Sequence, residues 1–151
     1  MTRLSKNFTL RELTKSDTAA RLGIDNTPTE EHLDNLKTLV TRVLQPTREA
    51  IGPIKVTSGY RGPKLNTKIG GSRTSDHMHG RAADIETFPD SESKMRALGK
   101  FIQDNLEFKQ LIWEFGGAWI HVSYQEGRNR KQVIEAYRDE NGKTKYRPFS
   151  F

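Results

Sequence analysis

Apolar residues recur at helical spacing in two stretches of the chain and alternate with polar ones in several others. Leu33, Leu36, Val40 and Val43 are separated by 3, 4 and 3 positions, which puts them on one face of an α-helix. Thr27-Pro28-Thr29-Glu30 gives that helix its start signal, with Pro at the first helical position. Pro46 is expected to kink or restart it before Gly52-Pro53 ends it. Near the N-terminus, Thr9 and Glu12 have the spacing of a capping box, and Phe8 and Leu13 that of a hydrophobic staple. They predict a short helix over roughly residues 10–15. A further helix over 91–106 turns Met95, Leu98, Ile102 and Leu106 inward.

The remaining apolar runs read as strands. Ile54 to Ser58 alternates, and 59–71 is expected to be a loop around one helical turn. Ala82 to Glu86 predicts a second strand, and Leu111 to Phe115 and Trp119 to Tyr124 a pair joined by Gly116-Gly117. Gln132 to Arg138 and Lys143 to Arg147 flank Asn141-Gly142, a hairpin signal. Helices gather early and strands late, so the predicted class is α+β, helices packed on a small sheet. No repeat, linker or low-complexity stretch interrupts residues 1–151, and one domain is expected.

Composition narrows the chemistry. The chain has no cysteine, so disulfides, thiolate catalysis and cysteine-ligated zinc are excluded, and any metal must be held by His, Asp or Glu. No apolar run approaches the roughly 18 residues of a membrane span, and no h-region follows the N-terminal charges. The expectation is synthesis in the cytoplasm without a signal peptide and no stable membrane association. Twenty-five Lys and Arg against 19 Asp and Glu give a net charge of +6, a balance that favours polyanionic partners or is simply a solvated surface. The basic residues are scattered except at Arg128-Asn129-Arg130-Lys131. No RNA-recognition, zinc-finger or recognition-helix pattern accompanies them, and nucleic acid is not expected as a partner.

Three segments carry candidate chemistry: Ser58-Gly59-Tyr60-Arg61, Ser75 to Asp84, and Trp119-Ile120-His121-Val122-Ser123. His77 and Asp84 are seven apart, with Gly80 between them to let the chain turn and Ala82-Ala83 leading to Asp84 as a buried strand. Alternation puts His121 on the face opposite Ile120 and Val122. Two His and one Asp are a ligand set for catalytic zinc, which keeps its fourth position open for water. Each residue also has a plainer reading, His121 as a hydrogen-bonded core residue and Asp84 as a strand-end cap.

The string S-x-H-x-x-G-x-A-x-D, preceded by S-G-Y-R and followed by W-I-H-V, resembles the D-alanyl-D-alanine carboxypeptidase and L-alanyl-D-glutamate endopeptidase family of zinc peptidases. Ser75, His77, Gly80, Ala82 and Asp84 match it, with His121 as the third ligand, and the likeness runs from about Val56 to Tyr124. It implies one Zn2+ held by His77, Asp84 and His121 on a mainly antiparallel sheet of the hedgehog/D-Ala-D-Ala peptidase kind. Arg61 is implied to face the substrate, binding its carboxylate or steadying the oxyanion, as suits a forked cation; its plainer reading is a turn residue. Ser75 is expected to hold the substrate or His77, or else to cap a loop. Tyr60, Asn66 and Ser72 are weaker candidates for lining the cleft. His79 occupies a variable position of the motif and is expected at the cleft edge, not on the metal.

One departure concerns the proton carrier. Many members of the family place it two or three residues before the last His, where this chain has Trp119 and Ala118. Glu114 is the choice here, because a tight turn at Gly116-Gly117 returns it beside His121; Asp76 and His79 are the alternatives. The expectation is a monomeric zinc peptidase that hydrolyses the stem peptides of peptidoglycan, a phage lysis enzyme acting on the wall after release. Its rival is a zinc-containing wall-binding or virion module with weak or no catalysis.

Overall fold

Phe8 and Leu13 are both buried, Phe8 just before and Leu13 within the first helix, α1 (Leu10–Thr14), which Thr9 and Glu12 open with the expected reciprocal cap. The structure is a computed structural model that describes residues 2–89 and 91–151. A second short helix, α2 (Asp17–Leu22), follows directly, capped by the Ser16 hydroxyl and ended by Gly23 in the left-handed region. Sequence patterning does not predict α2, because six residues are too few to display a helical period.

The long predicted helix forms in three sections. Its N-cap is Thr29, whose hydroxyl accepts from the His32 N–H at 3.1 Å, so Pro28 precedes the cap instead of opening the helix. α3 (Glu30–Leu39) then runs into a π-helical turn (Val40–Leu44) and on into α4 (Gln45–Ile51), which ends at Gly52. Pro46 explains the π turn. Its ring would collide with the carbonyl four residues earlier and it has no N–H to donate, so the chain widens locally and continues. Leu36, Leu39, Val40, Val43 and Leu44 are completely buried along this run, while Leu33 is half-buried.

The strands β1 (Ile54–Ser58), β2 (Ala82–Thr87), β3 (Gln110–Glu114), β4 (Trp119–Ser123), β5 (Gln132–Arg138) and β6 (Thr144–Pro148) make one sheet. Their spatial order is β1-β2-β4-β3-β5-β6, antiparallel at every junction except β3 with β5. α5 (Pro63–Lys68) and a 3-10 turn (Asp76–His79) fill the connection from β1 to β2, and α6 (Glu92–Asn105) that from β2 to β3. This is the α+β class that the order of apolar patterns predicts.

One face of the sheet builds the core. Val56, Ala83, Ile85, Leu111, Trp113, Ile120 and Val122 pack in one cluster with Met95, Leu98 and Ile102 of α6 and the buried residues of α3 and α4. The chain end adds to it: Phe149 stacks on Trp113 and Phe151 meets the same ring edge-on. Period-2 alternation therefore sends the intervening residues, Asp84, Ile112, Glu114, Trp119 and His121, to the other face.

Candidate metal centre and cleft

The register of the sheet sets the site. Asp84 lies directly opposite His121 across β2 and β4, His121 opposite Ile112 across β4 and β3, and Ile112 beside Ile134 across β3 and β5. Four side chains thus form a row, each about 4.8 Å from the next strand's. One row further on, Trp119, Glu114, Ala136 and Tyr146 are in register. The first row begins with two side chains able to ligate a metal and continues as an apolar floor.

His77 reaches Asp84 from the 3-10 turn. Ser75 caps that turn, its hydroxyl accepting from the His77 N–H at 3.2 Å, and Gly80 ends it in the left-handed region. A Cβ on Gly80 would stand 2.4 Å from the His32 carbonyl oxygen, so the position requires glycine for both conformation and space. His77 is 2% exposed, and its Nδ1 lies 2.7 Å from the Gly59 carbonyl oxygen. A carbonyl only accepts, so Nδ1 carries the proton and Nε2 presents a lone pair.

That lone pair faces Asp84 Oδ1 at 3.3 Å, and His121 Nδ1 approaches the same oxygen at 3.1 Å. Burial pushes the His77 pKa below the usual imidazole range, with the neighbouring His121 and Arg61 acting in the same sense and Asp84 opposing. Burial acts to raise the Asp84 pKa, but hydrogen bonding from His121 leads the effects that outweigh it and hold the carboxyl well below its ordinary value. A neutral imidazole and a carboxylate thus direct lone pairs at one another, a contact that a cation relieves. Tetrahedral zinc with bonds of about 2.0–2.1 Å has ligand edges of about 3.3 Å, the separation found at Asp84. The three ligand atoms all lie within 4.8 Å of one another. The donor set fits zinc.

Around this group is a cleft of about 420 Å³ whose lining includes Arg61, Ser72, Thr74, Ser75, Asp76 and Glu114. Arg61 follows β1 and is fixed by its backbone N–H on the His77 carbonyl at 3.0 Å; its Nε is buried with no hydrogen-bond partner. Burial lowers its pKa and Asp84 opposes. Glu114 lies on β3, diagonal to His121. Its pKa is raised above the usual carboxyl range, first by burial and then by the Asp84 carboxylate, with His121 and the nearby Trp119 indole opposing. The Trp119 Nε1 is also buried without a partner in hydrogen-bond geometry.

Not every candidate reaches the cleft. Tyr60 is buried and its hydroxyl bonds His32 Nδ1 at 3.0 Å, outside the cleft lining. Asn66 is likewise buried and bonds the Ser72 carbonyl at 2.9 Å, so it shapes the loop that carries Ser72 instead of facing the cleft. His79 is exposed and meets the His32 ring edge-on, away from the metal group. Asp76 lines the cleft in an ion pair with Lys109 at 3.0 Å, and Ala118 is exposed in the β3–β4 turn.

Sequence reasoning missed two contributors. Asn26 clamps the turn that carries Arg61, donating to the Thr14 and Tyr60 carbonyls and accepting from the Gly62 N–H, each at 2.9 Å. Tyr146 and Ile134 of the final hairpin close the far end of the cleft. Neither carried a local signal.

The close packing at Gly59 yields a testable consequence. A Cβ there would stand 2.3 Å from the Leu13 carbonyl oxygen, a backbone atom that cannot swing aside. Gly59→Ala is expected to cost about 1–3 kcal/mol of stability, read from urea denaturation, and to weaken zinc binding because the Gly59 carbonyl orients His77. A variant with unchanged stability and zinc affinity would contradict that coupling.

The family model described as Peptidase M15 matches residues 6–123, which takes in all three metal-binding candidates and ends at β4. β5 and β6, with Ile134 and Tyr146, lie beyond the match. No curated protein matches the chain closely enough to count as a relative.

Proposed function

The chain belongs to the peptidase M15 family of zinc peptidases, and from that membership and the geometry of its cleft we propose that it hydrolyses peptide bonds in the stem peptides of peptidoglycan. The observation that carries this reading is the convergence of His77, Asp84 and His121 on the floor of a cleft flanked by Arg61 and Glu114. We read residues 1–151 as one catalytic domain acting as a monomer. In kind it is a D-Ala-D-Ala carboxypeptidase or an L-Ala-D-Glu endopeptidase, employed as a phage lysis enzyme. Among the described residues no helix is long and apolar enough to cross a membrane.

The roles follow from the side chains. His77, Asp84 and His121 hold the ion. What zinc supplies when bound is Lewis acidity, which lowers the pKa of water from about 15.7 towards about 7 and polarises a carbonyl. Arg61 lines the cleft, and its guanidinium is a forked donor for a substrate carboxylate or for the oxyanion that develops during attack. Glu114 takes the proton of the attacking water and passes it to the leaving amine nitrogen; its raised pKa brings proton affinity closer to neutrality. The partner-free indole N–H of Trp119 lies on the same row as Glu114 and can steady its carboxylate. Ser75 acts on catalysis through His77, whose turn it caps.

Digestion of purified peptidoglycan, followed by mass spectrometry of the released fragments, tests the proposal. The expected result is new peptide termini that appear with zinc and vanish with a chelator, their masses naming the bond cut. Intact stem peptides after digestion with zinc-loaded protein would refute it.

A further inference from the structure

Behind the cleft wall at Asp76 the surface opens into a second concavity, lined by Lys109, Gln125, Gly127, Arg128, Asn129 and Arg130. The partition between the two is an ion pair: Asp76 lines the cleft, Lys109 lines the concavity, and Lys109 Nζ bonds both Asp76 oxygens at 3.0 and 3.1 Å. A second link runs through glutamines. Gln110, on the cleft side, donates to Gln132 Oε1 at 3.0 Å, and Arg130 Nη2 donates to the same oxygen at 3.1 Å. The Asp76–Lys109 pair thus has the cleft on one side and the concavity on the other.

The loop that carries the arginines is fixed. The Arg128 N–H bonds the Gln125 carbonyl at 2.8 Å, the Gln125 N–H bonds Asn129 Oδ1 at 3.0 Å, and the Lys131 N–H bonds the Phe108 carbonyl at 3.0 Å. Lys131 accepts a positive φ of 55° within it. On this rigid backbone Arg128 and Arg130 are exposed and, among the described residues, form no ion pair. The nearby acids are already engaged, Asp76 by Lys109 and Glu126 by the Tyr124 hydroxyl at 2.8 Å. Two forked cations thus stand beside the cleft without an acidic partner, Arg130 touching only the neutral Gln132 amide, at the one place where the basic residues of the sequence cluster.

We propose that this concavity is an anion subsite continuous with the cleft, in which Arg128 and Arg130 take a carboxylate carried by the bound peptide away from its scissile bond. The ligand class is an acidic peptide. This inference rests on the peptidase reading and deepens it by naming a feature of the substrate. Bidentate Arg–carboxylate pairing supplies the recognition.

The test compares an acidic stem-type peptide with its amidated counterpart, on wild type and on the R128Q/R130Q variant, both loaded with zinc. Both side chains are exposed, and matching circular dichroism and melting curves verify the fold. For the acidic peptide, KM is expected to rise roughly five- to tenfold with kcat nearly unchanged, and for the amidated one to stay constant. Equal KM values throughout, or an equal rise for both peptides, overturn the subsite; the latter assigns the arginines to general attraction for the polyanionic wall. Calorimetry on E114Q, with and without R128Q/R130Q, separates this from the peptidase reading. A preference of E114Q for the acidic peptide that disappears in the triple variant supports the subsite even if wild type cuts neither peptide. Absence of any preference overturns it.

Discussion

His121→Ala is expected to lower zinc affinity by more than about 100-fold and peptide cleavage by at least about 10³-fold. Catalytic zinc sites rest on three protein ligands, and even outer-shell losses cost about 10–100-fold in affinity. The His121 side chain lies on the cleft face of β4, opposite the face that packs the core, and remains slightly exposed. Its loss should therefore spare the fold. Zinc stabilises the wild type by binding the native state alone, about 4.1 kcal/mol at 1,000 times Kd. The melting temperature should accordingly rise with zinc for wild type and stay level for the variant. The measurement is paired: metal content after dialysis, and thermal melts with and without zinc. One tightly bound zinc in His121→Ala would remove that residue from the ligand set.

The second large effect belongs to Glu114→Gln, which should keep its zinc and lose about 10²–10⁴-fold in kcat, the usual worth of a positioned general base. The pH dependence identifies the residue. Glu114 acts as a base only when ionised, and its folded pKa lies above the ordinary carboxyl value. The acidic limb of the wild-type kcat/KM profile should therefore fall as pH drops through that raised value, and the variant should lack the limb.

Stability moves the opposite way. A carboxyl whose folded pKa exceeds its unfolded one binds protons more tightly when folded, so its ionised form opposes folding at all pH above the folded value. Glu114→Gln should melt at a slightly higher temperature at neutral pH, although partial exposure to solvent keeps the gain small. An unchanged kcat, or retention of the acidic limb, would pass the base role to another group. Asp76 is the natural comparison: Asp76→Asn breaks its ion pair with Lys109 without touching the metal group.

Much of this organisation was legible before the fold was known. His77, Gly80, Asp84 and His121 stand in a recognisable order, and the alternation of β4 announces that His121 leaves the core face. The cap at Thr9 and the apolar faces of α3 and α6 are local signals too, set by side chains within four residues of one another. The return of Glu114 to the neighbourhood of His121 required only that a Gly-Gly turn fold two strands together.

Other features had no local signature. That β5 lies parallel to β3, bringing Ile134 beside Ile112 and Tyr146 into register with Glu114, depends on strand pairing across the whole sheet. Tyr60 and Asn66 were misplaced because residue type and proximity to Arg61 say nothing about which way a side chain turns; packing against α3 and the Ser72 loop decided it. The clamp at Asn26 and the partition at Asp76–Lys109 join residues far apart in the chain. By itself the sequence determined the metal-binding residue types, the period of each element and the α+β class, because those follow from chemistry and spacing along the chain. Only the tertiary structure decided which lone pairs meet, which cations lack an acidic partner and what walls the cleft, because these are set by burial and register between distant segments.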